Sequence, residues 1–320
     1  CAAMSAGIEG FSELPYYDNA RQPIIGAPVP ELEWSLSAPE RLAALLRSAV
    51  EQVARQLQPR AGQRLALLCV CPEHGRSTVD EPRSGWLGDI AVGALGSGLE
   101  LRWFRVLRGA PASFQALTLA RTLLQTRAVD TAVVCAVDSL LDARSLEWLS
   151  HRRPLRSMRQ ADGAIAGEAA AALVLSAVPG SRRNGALVLA GVGFGDEPAA
   201  RDPAQPLRGD GLTAATKAAL VEAGLEMHDL GLRMASGADG ERELKEHTLS
   251  LTRLLRVRLE QLPMWLCAET LGHVGAATGL VQIAWAHETM VRGDLPGTVI
   301  SSTAFAYDGR RATALLTCLR

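Results

Sequence analysis

The segment VLRGAPASFQALTLARTLL, Val106 to Leu124, contains a strand pattern, a sharp turn and a helix pattern in immediate succession. The strand pattern ends at Gly109, and apolar residues at helical spacing begin near Ala112. A helix N-terminus offers unpaired N–H groups and the positive end of the helix dipole, so such junctions often present an anionic nucleophile. The residue at this junction is Ala110, whose methyl group has no such chemistry. The segment therefore predicts the platform of a nucleophile without the nucleophile.

Strand and helix patterns alternate on both sides of this junction. Helical spacing is found at 38–57, 112–126, 212–225, 241–259 and 276–290, and strand patterns at 64–71, 99–107, 131–138, 169–178, 186–194, 230–235 and 312–319. A hinge, PGSRRNG at 179–185, separates halves 1–178 and 186–320. This alternation predicts an α/β protein with a largely parallel sheet in each half.

Composition excludes several classes of function. The chain has 320 residues, a net charge of −1 and 48% hydrophobic residues, without a block of like charges, so neither nucleic acid nor a membrane is an expected partner. Six cysteines without a disulfide-like spacing indicate reduced thiols and a cytoplasmic location. The chain begins at Cys1, and we expect the sequence to start part-way into the gene product.

Two short motifs resemble parts of a metal site and of a dinucleotide site, but both are incomplete. Cys69, Cys71 and His74 together could form half of a metal site, but no second pair of ligands follows. The cysteines are therefore predicted to pack in a strand. GVGFG at 191–195 lacks the full glycine spacing of a dinucleotide site, so its glycines are predicted to lie in a loop. No metal and no cofactor are expected.

Four segments resemble the β-ketoacyl synthases. They are ADGAIAGEAAAALVLSAV at 161–178, LTAATKAALVEAGLEMHDLGLRMASGADGERE at 212–243, ETLGHVGAATGLVQIAWA at 269–286 and STAFAYDGRRATALL at 302–316. Their order and spacing match that family from Ala38 onward, although the strand and glycine turn with which the family begins have no counterpart. The resemblance implies a thiolase-like fold: two duplicated α/β halves in five layers, α-β-α-β-α.

The resemblance also implies where catalytic residues would lie. Ketosynthases acylate a cysteine at a helix N-terminus and use two histidines for decarboxylation. These places fall on Ala110, Ser236 and His273, so only the second histidine is kept. The threonines that bind pantetheine in that family are replaced by Ala238 and a deletion. The lysine ahead of the second histidine is replaced by Ala268, and the gating loop consists of Ala306, Tyr307, Asp308 and Gly309. We therefore expect no catalytic residue.

Other interpretations of the surviving residues remain open. Ser113 could replace the nucleophile, but no base has a matching position, and a serine at a helix N-terminus is common. His273 could decarboxylate a malonyl thioester alone, but it is more simply a packed, hydrogen-bonded histidine. If the chain is an enzyme, it is a ketosynthase-type acyltransferase or a malonyl decarboxylase. Tyr307 is expected to fill the volume over Ala110.

The leading functional hypothesis is a non-catalytic ketosynthase-like scaffold, an adaptor or chaperone for a secreted effector. Degenerate proteins that resemble this one occur in type VI secretion effector clusters. The alternative is a chain-length-factor-like subunit of a ketosynthase heterodimer in fatty acid or polyketide synthesis.

The strand LELRWFRVL at 99–107 is the predicted contact with a partner. Leu99, Leu101 and Trp103 alternate with Glu100 and Arg102, which predicts one apolar face and one charged face. Thiolase-like proteins pair an edge strand in this region across a two-fold axis, and an uncovered apolar edge favours aggregation. We therefore expect a homo- or heterodimer through Trp103. The alternative is that Trp103 packs within its own half.

Overall fold

The computed structural model of this chain describes residues 1–57, 62–73, 75–76, 85–96, 100–177, 185–202 and 204–319. His74, Leu99 and hinge residues 179–184 lie outside these ranges. The chain forms two compact units. The larger unit comprises Ala6–Ala177 and Ala268–Val281, and the smaller unit comprises Cys1–Ser5, Val178–Cys267 and Gln282–Arg320. The predicted halves, 1–178 and 186–320, were defined by an expected duplication along the chain and not by compactness. This division stays a prediction.

The larger unit is built on a six-stranded sheet. After a short helix α1 (Ala2–Ala6), its elements are β1 (Ser12–Tyr17), β2 (Pro23–Ala27), α2 (Ala38–Gln56), β3 (Arg64–Cys71), α3 (Gly85–Leu95), β4 (Glu100–Arg108), α4 (Ala112–Gln125), β5 (Thr131–Ser139), α5 (Ala143–Ser150) and β6 (Ala166–Leu175). The strand order is β1-β2-β6-β5-β3-β4. The first two strands contradict the expectation that the chain lacks an N-terminal strand.

The core of the larger unit follows from the helical and strand patterns. Helix α2 begins after Ser37, whose N–H and hydroxyl both donate to the Glu40 carboxylate, at 2.9 and 2.6 Å. Its apolar face packs with α3 on the inner residues of β3 and β5. Cys69 and Cys71 are each 1% exposed in this core, as predicted.

Strand β4 is an edge strand, as predicted, but its faces differ from the prediction. The register with β3 shifts by one residue, so that Leu101 is level with Leu65 and Trp103 is level with Ala66. Successive residues of β3 point to opposite faces, so Leu101 and Trp103 lie on opposite faces as well. The predicted shared face is therefore wrong. The cause is a bulge at Arg102, which interrupts the alternation.

The smaller unit is built on a five-stranded sheet. The elements from residue 186 onward are β7 (Ala186–Asp196), α6 (Asp210–Ala223), β8 (Leu232–Ala235), α7 (Glu241–Leu254), β9 (Met264–Leu266), α8 (Ala268–Leu271), α9 (Thr278–Arg292), β10 (Val299–Phe305) and β11 (Arg310–Leu319), with α8 and the start of α9 in the larger unit. The strand order is β7-β11-β10-β8-β9. Helices cover both faces, since Thr303 of β10 bonds to α7 and its neighbour Ser302 bonds to α9.

Both sheets are mixed, so the prediction of largely parallel sheets is only partly correct: three of five strand pairs in the larger unit and two of four in the smaller unit are parallel. In the larger unit β1 and β2 are antiparallel, as are β5 and β6. In the smaller unit β11 is antiparallel to both of its neighbours. Short turns account for two of these pairs, because the turns at 18–22 and 306–309 can join only antiparallel strands. β5 and β6 are antiparallel although the connection between them contains α5.

The GVGFG motif lies inside β7, so its prediction as a loop is also wrong. A Cβ atom added to Gly193 would lie 1.9 Å from the carbonyl oxygen of Ala215 in α6. Gly191 and Gly195 face the same helix at similarly short distances. The glycines therefore allow close packing of helix on strand.

Candidate functional site

The junction between β4 and α4 in the larger unit has the predicted geometry. Gly109 has a φ of +82° and donates its N–H to the carbonyl of Cys71 at 3.0 Å. Ala112 donates its N–H to the carbonyl of Gly109 at 3.0 Å, which closes the turn. Ala110 is 7% exposed. The N-terminus of α4 therefore presents a buried methyl group where the resemblance places a cysteine.

Ser113, the alternative nucleophile, has a structural contact instead. Its side chain is fully buried, and its hydroxyl donates to the carbonyl oxygen of Ala276 at 3.0 Å. A Cβ atom added to Gly279 would lie only 3.0 Å from the Cβ atom of Ser113, so the two segments pack tightly. The hydroxyl thus fixes the first turn of α4 to the segment that follows His273.

His273 lies in a network of backbone hydrogen bonds. Its N–H donates to the carbonyl of Ile165 at 2.7 Å, and its carbonyl accepts from Gly167 at 3.0 Å. The ring atom Nδ1 accepts from the N–H of Gly275 at 3.1 Å. Burial, reinforced by the charges of Arg76 and Arg153, lowers the pKa of His273 to about 3. The ring is therefore neutral at pH 7, and because Nδ1 accepts, Nε2 carries the proton.

The turn after His273 is held by a buried ion pair. Arg76 is paired with Asp138, and the other carboxylate oxygen of Asp138 accepts the N–H of Ala276 at 2.7 Å. Gly275 has a φ of +47°, and a Cβ atom there would lie 2.0 Å from that oxygen. Burial raises the pKa of Asp138, and the charge of Arg76 opposes this. The larger unit thus brings the segments of Ala110 and His273 together through structural contacts.

Ser236 belongs to the smaller unit, in the loop after β8. It is 6% exposed, and its hydroxyl oxygen accepts the N–H of Ala238 at 3.1 Å. The thiol of Cys267 donates to the carbonyl of Ser236 at 3.7 Å. The serine therefore shapes its own loop, and a hydroxyl cannot act as a base near pH 7.

Helix α7 buries a polar face that the sequence analysis missed. Glu243, Glu246, His247 and Ser250 are all buried. Glu246 receives two hydrogen bonds from the guanidinium of Arg311, at 2.8 and 2.7 Å. Burial lowers the pKa of His247 to about 3. The spacing of these four residues is that of one helix face, and this signal could have identified them.

Glu243 is the least satisfied member of this face. One carboxylate oxygen accepts the N–H of Asp239 at 3.3 Å, and the other has no hydrogen-bond partner among the described residues. Burial raises the pKa of Glu243 from 4.5 to about 7. The folded protein therefore holds this proton more tightly than the unfolded chain, and the stability that this contributes below pH 4.5 is lost as the pH rises through 7.

This linkage gives a pH-dependent prediction. Glu243→Gln should stabilise the protein more at pH 8 than at pH 5, with the two effects differing by an amount on the order of 3 kcal/mol, because the variant has no carboxylate to ionise. Urea unfolding at both pH values measures this difference, and the other titrating groups are common to both proteins. An effect of equal size at both pH values would contradict the shift at Glu243.

The turn 306–309, which the resemblance identifies as a gating loop, is held from several sides. The carbonyl of Asp308 accepts from Arg201 at 2.8 Å, and the carbonyl of Ala306 accepts from Arg311 at 2.8 Å. Gly309 has a φ of +99°, which explains why one glycine is kept. The expectation that Tyr307 fills the volume over Ala110 concerns two separate units and stays a prediction.

Comparison with known proteins gives matches at the level of structure only. No family model and no curated protein matches the chain. A β-ketoacyl synthase from Burkholderia phymatum STM815 superposes with a TM-score of 0.76 at 16% identity, covering 100% of this chain and 94% of that one. The ketosynthase ApeO, solved with its chain length factor ApeC from Xenorhabdus doucetiae, gives 0.73 at 16% identity, covering 99% and 92%.

A third match is a type II polyketide synthase ketosynthase solved with its acyl carrier protein, AntDE:AntF, with a TM-score of 0.75 at 13% identity, covering 97% of this chain and 92% of that one. Identities this low show the fold alone. The predicted class, an α/β protein with a thiolase-like fold, is confirmed.

Two features are absent from the described residues. No described helix has the length and apolar character that a membrane span requires. Among the same residues, no group of three or more histidine, cysteine, aspartate or glutamate side chains is arranged to hold a metal ion.

Proposed function

We propose that this chain is a non-catalytic protein with a ketosynthase-like fold that acts by binding another protein. The observation that carries the proposal is Ala110 at the N-terminus of α4, because a methyl group cannot be acylated. The hydroxyl of Ser113 is bonded to a buried carbonyl, and the neutral ring of His273 uses Nδ1 to hold a turn. Neither group supplies an activated replacement.

The edge of β4 is the surface that we propose for the partner. Leu101 and Trp103 are 40% and 37% exposed, one on each face of the strand. An additional strand alongside β4 would cover both side chains, whereas a partner on one face of the sheet would cover only one. The regular run from Trp103 to Arg108, beyond the bulge, is long enough for such a pairing.

Replacement of Trp103 tests this surface. Trp103→Glu should convert a dimer, whether of this chain alone or with a related partner, into monomers, because loss of an aromatic anchor typically costs about 2 kcal/mol or more of binding energy. Light scattering measures the mass. Phe194→Glu is the matched control, since Phe194 is 42% exposed on β7 of the smaller unit. Wild-type protein that stays monomeric in every mixture would contradict the proposal.

The finer role depends on the identity of the partner. The adaptor or chaperone role for a secreted effector rests on the resemblance to degenerate proteins of effector clusters. The chain-length-factor-like role is supported by the fold shared with ApeO, whose structure contains its chain length factor. Co-purification from the native host distinguishes them: an active ketosynthase supports the subunit role, an effector supports the adaptor role, and acyl carrier protein alone contradicts the adaptor role.

A further inference from the structure

Two tight turns of the larger unit are joined side by side. The first turn closes the β1–β2 hairpin, with the N–H of Asp18 donating to Gln22 at 2.9 Å. The second is formed by Ser157 and Gln160, which exchange backbone hydrogen bonds of 3.2 and 3.0 Å. The hydroxyl of Ser157 donates to the carboxylate of Asp18 at 2.9 Å, across 139 positions of sequence. This bond fixes the two turns as one surface.

Each turn exposes one large apolar side chain and one arginine. Tyr17 is the last residue of β1, next to the first turn, and Arg21 lies in that turn, whereas Met158 and Arg159 lie at the tip of the second turn. Tyr17 is 67% exposed and Met158 is 72% exposed. We call these four residues the paired-turn surface. An aromatic residue, a methionine and arginines together match the composition of protein interfaces, in which these residue types are enriched.

The arginines of the paired-turn surface are available to a partner. The described residues hold no ion pair to Arg21 or Arg159, and Arg159 exerts only a longer-range attraction on Asp18. The carboxylate of Asp18 is itself used by three donors, the N–H groups of Ala20 and Gln22 and the hydroxyl of Ser157. The surface therefore carries a net positive charge, because two arginines lie near the single carboxylate of Asp18.

The backbone conformation of Arg21 provides a way to test its role. Its φ is +57°, in the left-handed region that glycine adopts without cost and that a side chain disfavours. Glycine at this position would keep the turn and remove only the guanidinium, so Arg21 can be replaced without a new demand on the backbone. Arg127 is the other described non-glycine residue with positive φ, at +56°, and it follows α4 away from these turns. It provides a matched control.

We propose that the paired-turn surface binds an acidic segment of a partner protein. Carboxylates of the segment pair with Arg21 and Arg159, whose planar guanidinium groups suit them, and an apolar side chain of the segment packs between Tyr17 and Met158. The exposed methionine favours a protein over a nucleic acid. Because β1 and β4 are opposite edges of the same sheet, this partner and one at β4 can be bound together.

The test uses the whole chain and a short fluorescein-labelled peptide in which pairs of glutamates alternate with single leucines. Fluorescence anisotropy at low ionic strength should show saturable binding, weakened about tenfold by Met158→Glu or Arg159→Ala and unchanged by Arg127→Ala. The same peptide with serine in place of leucine should bind more weakly. Equal binding by all variants, or tighter binding of single-stranded RNA or anionic vesicles, would overturn the proposal.

Arg21→Gly separates binding from structure. Glycine removes the strain, so the melting temperature should rise by about 1–2 °C while peptide binding weakens. A residue with only a structural role would not change these two properties in opposite directions. Unchanged peptide affinity in a stabilised Arg21→Gly protein would contradict the role of Arg21.

Discussion

Replacement of Glu168 with Ala is expected to lower the free energy of unfolding by about 3–5 kcal/mol, because it leaves the buried charge of Arg41 without its counter-ion. The Glu168 carboxylate accepts two hydrogen bonds from Arg41, at 2.6 and 2.7 Å. It also accepts the N–H of Val29 and the hydroxyl of Ser139, both at 2.9 Å. Urea unfolding monitored by circular dichroism measures the loss.

The matched control is an ion pair on the surface. Arg64 and Asp130 are joined at 2.7 Å, but their side chains are 36% and 44% exposed. Asp130→Ala should therefore lower the free energy of unfolding by less than about 1 kcal/mol. Equal losses for Glu168→Ala and Asp130→Ala would show that the buried pair does not organise the larger unit.

The second large effect is expected for Gly193→Ala, which should lower the free energy of unfolding by about 3 kcal/mol. The added Cβ atom would lie 1.9 Å from the carbonyl oxygen of Ala215 and 2.7 Å from the nitrogen of Ala219. Both are backbone atoms of α6 and cannot rotate away, so the helix must move off β7. Thermal unfolding measures the loss, and limited proteolysis should show cleavage in the smaller unit.

Gly93→Ala is the control for this substitution. Gly93 lies in α3, and a Cβ atom there meets no heavy atom of the described residues within 4 Å. Alanine is the better helix former by about 1 kcal/mol, so this variant should be slightly stabilised. Destabilisation of both glycine variants by similar amounts would mean that the contact with α6 is not the cause.

Periodicity predicts elements well where one face of an element is buried. Helix α2 and strand β3 lie where the pattern places them, because their apolar residues meet in one core. The predicted strand directions were only partly correct, because the pattern within a strand does not show which neighbour the strand pairs with. The bulge at Arg102 has no residue signature, and glycines look alike in a loop and beneath a packed helix.

Only the part of the candidate site that is local in sequence could be predicted. The junction at Ala110 is local, so the sequence around it predicts both its geometry and the missing nucleophile. The contact of Ser113 with Ala276 spans 163 positions, and that of Glu246 with Arg311 spans 65. Contacts between distant segments leave no periodic signal in either one. The paired-turn surface arises in this way too, from residues that look unrelated along the chain.

Incubation of the purified chain with acyl and malonyl thioesters tests the central claim most directly. Intact-protein mass spectrometry reports acylation, release of the decarboxylated thioester reports turnover, and an active ketosynthase is the positive control. We predict no mass increase and no turnover above buffer, because Ala110 cannot be acylated and His273 is neutral and engaged in a turn. Turnover by the wild-type protein that is abolished in His273→Ala would contradict the account.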